Sequence, residues 1–269
     1  MTLKISYPDI FDRGIEDRIL YGSERFGTTW RDAINGDRIS RAYVTTNSYF
    51  LAAVDIGSGV TDTPDHLILT HIGAYAGISS INAYMSNTSI TVGYEAIPQL
   101  TISSPSSATG IGPRAEDYLL TRTSAIGGRR YFAIELIPSV AVTNVKLGKI
   151  YLGTGFDMGN PPAYEWDRVP EKISESFTTS GNRERTRTSE YRYTFRFQWE
   201  GITDAKVASF MSIIEDSQRD RYFLYTTDYH HILNDERLVH VRLVNATTEN
   251  PGSKANWNTV NAEFEELIG

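Results

Sequence analysis

The stretch Glu190–Gly201, EYRYTFRFQWEG, carries Tyr191, Tyr193, Phe195, Phe197 and Trp199 on every second residue, with Arg192, Thr194, Arg196, Gln198 and Glu200 between them. Strand side chains alternate between faces, so this period puts five rings on one face and a polar, partly cationic row on the other. A strand of that kind needs a sheet to sit in and an apolar layer to cover its rings.

The neighbouring sequence supplies both. From about 171 to 200, two alternating runs flank a polar tip at Ser180–Glu184, which reads as a long hairpin with the aromatic stretch as its second arm. Directly behind it, TDAKVASFMSIIEDSQ changes period. Thr203 is an N-cap, Asp204 falls in the first turn, and Val207, Phe210, Met211 and Ile214 repeat at helical spacing, predicting one helix over about 203–217. The runs RYFLYTT, RLVHVRLVN and VNAEFEEL return to strand character. Residues 154–269 are therefore expected to form a β domain carrying a single packed helix.

Upstream, 37–153 consists of short β-type runs split by Gly, Ser, Asn and Pro, among them HLILTHIGAY, SITVGYEA, QLTISSP and YFAIELIP. That spacing predicts a β-sandwich. The Gly/Pro-rich junction GTGFDMGNPPAYEWD, Gly153–Asp167, is where one domain is expected to end and the next to begin. Residues 1–36, interrupted by Pro8, Gly14, Gly22, Gly27 and Gly36, read as an irregular arm.

Charge and cysteine usage narrow the chemistry. The chain has 269 residues, with Lys+Arg 26 against Asp+Glu 33 and a net charge of -7, a balance that speaks against specific nucleic-acid binding. It has no cysteine, which excludes disulfides, thiol catalysis and cysteine metal sites. Asp9, Asp12 and Arg13 interrupt the N-terminal run where a secretory signal needs apolar residues, and no later run is long enough to span a membrane. Synthesis in the cytoplasm as a soluble product is the expectation.

The catalytic patterns fail in turn. YLGTGFDMG has the glycines of a phosphate loop, but Pro161 and Pro162 follow where a helix N-terminus is required. His230 and His231 are adjacent and point apart on a strand, and no Gly-x-Ser-x-Gly elbow is present. The acid pairs Asp62 with Asp65 and Glu265 with Glu266 read as surface charge. No catalytic, metal or cofactor site is therefore expected, and the chain reads as a non-enzyme. Arg183, Arg185, Arg187, Arg192 and Arg196 concentrate cationic charge on the hairpin of an acidic chain, a pattern suited to carboxylates of a neighbouring subunit, ahead of a phosphate backbone, with a solvated hairpin as the plain alternative.

Two resemblances extend this reading. AVDIGSG, HLILTHIGAYAGISSINAYMSN, RRYFAIELIP and VKLGKIYLG, in that order, resemble galactose-binding-like, discoidin-type jelly rolls, with Asp55 and Gly57 matching the family's early Asp-x-Gly and Gly148 and Gly153 its closing strand. The cysteine pair of the extracellular members is missing. The order of hairpin, strand, helix and returning strands in 154–269 resembles the tail-tube-like domains of bacteriophage minor and distal tail proteins. That second resemblance implies a structural component of the virion tail, a homo-oligomeric ring held by the hairpin arginines, and tube, hub and tip proteins as partners. The first implies an alternative, a module that binds a host-surface glycan, with Tyr75, Tyr84 and Trp166 as stacking residues. A glycan-degrading enzyme is the third reading, requiring converged acids.

Overall fold

The computed structural model describes residues 3–11, 13–14, 16–24, 30, 33, 42–46, 49–70, 77–92, 98, 100–103, 118–122, 126–139, 142–163, 167–178, 184–216, 221–226, 238–250 and 257–267. Among the described residues the chain is mainly β, with antiparallel pairings and one α-helix of more than a single residue. Its contacts divide it into two units, one of Ser6–Gly155 with His231–Leu238 and Gly269, the other of Met1–Ile5, Phe156–His230 and Val239–Ile268. No helix among the described residues is long and apolar enough to cross a membrane.

The N-terminal unit contains β1 (Leu3–Asp9, shared between the units), β2 (Glu16–Tyr21), β3 (Ser23–Glu24), β4 (Ala42–Thr46), β5 (Phe50–Asp55), β6 (His66–Leu69), β7 (Ile78–Ser86), β8 (Leu100–Ser103), β9 (Tyr118–Thr121), β10 (Tyr131–Pro138), β11 (Val142–Leu147) and most of β12 (Ile150–Asp157). One sheet runs β2-β5-β10-β7-β8, a second contains β1-β12-β6-β9, and a small one is β11-β4-β3. Alternate residues of the first sheet, Phe50, Ala52 and Val54, Ile81, Ala83 and Met85, Phe132, Ile134 and Leu136, share one buried cluster with Leu67, Leu69, Ile150 and Leu152 of the second. Two sheets closing on one apolar layer make a β-sandwich.

Two expectations are corrected here. Residues 1–36 are not uniformly irregular: β1, β2 and β3 lie within them, and Gly22, at φ 89, occupies the turn between β2 and β3. Glycine there marks the corner between strands, because only it adopts positive φ without strain. Gly153 and Gly155 are not part of a turn either, since both lie inside β12. The Gly155 N–H donates to the Asp65 carboxylate at 3.0 Å.

The C-terminal unit holds β13 (Asp167–Thr178), β14 (Glu184–Ile202), α1 (Asp204–Asp216), β15 (Arg221–Thr226), β16 (Leu238–Glu249) and β17 (Asn258–Glu266), with sheet order β13-β14-β17-β16-β15. The period-two reading holds where side chains are described: Phe195 and Trp199 are fully buried and Phe197 nearly so, while Arg196, Gln198 and Glu200 face solvent. Burial of those three rings contributes about 6–9 kcal/mol before ordering costs. The rings of Phe195 and Phe197 stack 6.4 Å apart, and Trp199 meets Phe210 of α1 at 6.5 Å. Helix α1 begins where its cap predicts, Thr203 Oγ1 accepting from Lys206 N and Thr203 O from Val207 N.

Candidate binding face of the N-terminal sandwich

The outer side of the β2-β5-β10-β7-β8 sheet carries residues of the opposite parity to the core. Its register aligns Thr101, Asn82, Glu135, Leu51 and Tyr21 in one row across the five strands, and Tyr84, Ala133, Ala53 and Arg18 in the next. Leu51, Ala53, Ile90 and Ala133 form a small buried cluster there, packed by Leu20, Tyr49, Tyr84 and Tyr131. Tyr21 stacks on Tyr49 with centroids 4.1 Å apart. The face therefore presents four tyrosine rings around a short aliphatic patch.

Glu135 stands in the middle of this patch, with Leu51 on one neighbouring strand and Asn82 on the other. Tyr84 Oη donates to Glu135 Oε2 at 2.6 Å and Asn82 Nδ2 donates to the same oxygen at 2.8 Å. Thr101 Oγ1 in turn donates to Asn82 Oδ1 at 2.9 Å, which fixes the amide's orientation. Two side chains of β7 thus hold the carboxylate directly, and a third, from β8, holds one of them in place. Its second oxygen, Oε1, has no hydrogen-bond partner among the described residues. Burial pushes the Tyr84 hydroxyl up to about 12, and the bond to Glu135 and that carboxylate's charge reinforce the rise. Tyr84 consequently remains a donor at every physiological pH.

At the end of the same sheet, Asp55 and Arg130 form a bidentate pair, Nε to Oδ1 at 2.7 Å and Nη2 to Oδ2 at 2.6 Å. Gly57 N, from a residue at φ 107, donates to Asp55 Oδ1 at 2.8 Å, and the Arg130 guanidinium lies 4.8 Å from the Tyr131 centroid. The Arg130 bond holds the Asp55 carboxyl below its usual value, with the Gly57 N–H adding to it against the opposing effect of burial.

A second polar arrangement is sealed. Ser6 Oγ lies 2.5 Å from His66 Nε2, and His66 Nδ1 lies 2.6 Å from Asp65 Oδ1, the order of groups found in nucleophile–base–acid relays. Ser6 and His66 are both fully buried, and the His66 ring stacks on Tyr151. A substrate carbonyl has no route to a serine without solvent access, so these bonds satisfy buried polar groups. Sequence reasoning misses this cluster because Ser6 and His66 are 60 residues apart.

Each acid of the two pairs has partners of its own. Asp62 accepts from Arg13, Thr63 N and Thr154, whereas Asp65 is engaged by His66 and Gly155 N. Glu265 and Glu266 are buried, contrary to the surface-charge reading: Glu265 pairs with Arg192 and Arg242, and Glu266 accepts from Tyr193 N. Arg196 pairs with Glu263 at 3.3 Å. Arg192 and Arg196 are therefore each paired with an acid of their own sheet. A shallow depression of about 220 Å³ on that surface, lined by Arg196, Gln198, Asn245, Thr247, Asn261 and Glu263, lacks an exposed aromatic wall.

Of the other residues singled out, Tyr75, Trp166 and Arg183 lie outside the described residues, and Arg185 and Arg187 lie on β14 where only the backbone is described. Tyr84 is on the candidate face, its hydroxyl bound to Glu135. Among the described residues, no group of three His, Asp or Glu side chains is placed to hold a metal ion.

No protein-family model and no curated protein matches this sequence. Among solved structures, the chain is similar to CBM32-1 from a family 31 glycoside hydrolase of Clostridium perfringens, at 14% identity over 52% of this chain and 96% of that one, with a TM-score of 0.36. It is also similar to the lectin domain of lectinolysin complexed with Lewis b, at 13% identity over 55% and 98% and a TM-score of 0.39. A truncated AlyQ with CBM32 and alginate lyase domains aligns over 99% of this chain and 91% of that one, at 9% identity and a TM-score of 0.39. Similarity of this size decides neither the ligand nor the activity of the chain.

Proposed function

We propose that the N-terminal sandwich is a non-catalytic carbohydrate-binding module that takes a glycan on the outer face of the β2-β5-β10-β7-β8 sheet. The observation that carries this reading is Glu135: one oxygen is fixed by Tyr84 and Asn82, the other has no partner among the described residues, and tyrosine rings flank the aliphatic patch on the same face. A preorganised acceptor beside aromatic surface is what a sugar ring needs, since its hydroxyls donate and its C–H faces pack on rings. Titration of the full chain against a panel of neutral and charged oligosaccharides tests it. Wild type is expected to retain at least one glycan, and Glu135→Ala to weaken that affinity about tenfold or more, the effect of losing a charge-assisted bond. Retention of no glycan, or equal affinity in both proteins, contradicts the reading.

A second reading is favoured by one feature of the C-terminal unit. Strand β14 pairs with β17 over Thr194–Ile202, but with β13 out to Thr178↔Glu184, so among the described residues 174–178 and 184–188 form a ribbon of two strands. Such a ribbon is marginal without a third partner, which fits the assembly role implied by the resemblance to phage tail proteins. Light scattering on the full chain is expected to give a closed oligomer that shortening the ribbon at 176–186 converts to monomer. A monomeric wild type at all concentrations contradicts this second reading.

A further inference from the structure

Charge balance on the same face deepens the first reading and rests on it. Glu135 is the one acid in the strand YFAIELIP, half-buried between Leu51 and the buried Ala133, and no cation among the described residues pairs with it. The nearer cations of this sheet are committed elsewhere. Arg130 gives two hydrogen bonds to Asp55, and Arg18 donates to Ser89 and acts on Asp55. The bonds from Asn82 and Tyr84 come from neutral donors, so they orient the carboxylate without cancelling its charge. A carboxylate removed in part from water and lacking a counter-charge is stabilised more by a cation than by a further neutral donor.

We infer that the glycan taken by this face carries a protonated amine, an amino sugar with its nitrogen unacylated, whose ammonium meets Glu135 Oε1 while its ring packs among the tyrosines. An N-acetylated sugar keeps the ring and its hydroxyls but removes the charge and two of the three N–H donors, so it is the discriminating comparison.

The test uses the full chain and four probes of matched length: a glucosamine oligomer, its N-acetylated form, a neutral glucose oligomer and a lysine oligomer. The glucosamine oligomer is expected to bind at least tenfold more tightly than the other saccharides, and Glu135→Gln to bring all three within about twofold. The wild-type comparison stands by itself if that variant does not fold. Equal or tighter binding of an uncharged saccharide overturns the amine inference and leaves the glycan reading in place. Binding of no saccharide overturns both, and a lysine oligomer binding as tightly as the glucosamine oligomer overturns the inference in favour of a protein ligand.

Discussion

Trp199→Ala is expected to cost the C-terminal unit about 3–5 kcal/mol of unfolding free energy. Trp199 is fully buried, lies 5.5 Å from Phe197 and 6.5 Å from Phe210, and couples strand β14 to helix α1. An alanine there leaves a cavity bounded by rings held in place by their own strand and helix, so little of the lost contact is recovered by collapse. Phe210→Ala removes the opposite wall of the same contact, and the double variant is expected to cost less than the sum of the two, because the second truncation enlarges a cavity already present. Urea unfolding followed by circular dichroism checks both statements. A loss below about 1 kcal/mol for Trp199→Ala means that the helix does not cover the aromatic row as described.

Asp55→Asn is expected to cost about 2–3 kcal/mol at neutral pH, because it leaves the Arg130 guanidinium without its bidentate acceptor and weakens the cap on Gly57 N. The pH dependence has a fixed sign. Asp55 binds its proton less tightly folded than unfolded, so its contribution is fully present above the ordinary value of 3.8 and is lost as pH falls through the lower, folded value. The gap in stability between wild type and Asp55→Asn is therefore expected to be constant from pH 8 to about 5 and to close below about 4. Thermal unfolding across that range reads it directly. A gap that widens on acidification contradicts the pairing.

Legibility in the sequence follows physical scale. The alternation of Phe195, Phe197 and Trp199 against Arg196, Gln198 and Glu200 is set by burial on one side of a sheet, and the structure keeps it. Helix α1 is equally local, since Thr203 and the spacing of Val207, Phe210 and Ile214 lie within one segment. What the sequence conceals is partnership over distance. Arg196 meets Glu263 across 67 residues, within its own sheet. The strands in 1–36 are obscured because glycines at their corners look like breaks in the pattern. Glu135 leaves a faint trace, a single acid in an otherwise apolar strand, but the Tyr84 and Asn82 bonds that give it meaning come from another strand.

The most direct test of the account is where a bound sugar sits. Amide chemical shifts of the isotopically labelled full chain, followed while the tightest-binding oligosaccharide is added, are expected to change at Leu51, Asn82, Tyr84, Ala133 and Glu135, residues brought together across β5, β7 and β10. Shifts confined to the sandwich's loops or to the C-terminal unit, with those five unmoved, contradict the assignment of this face.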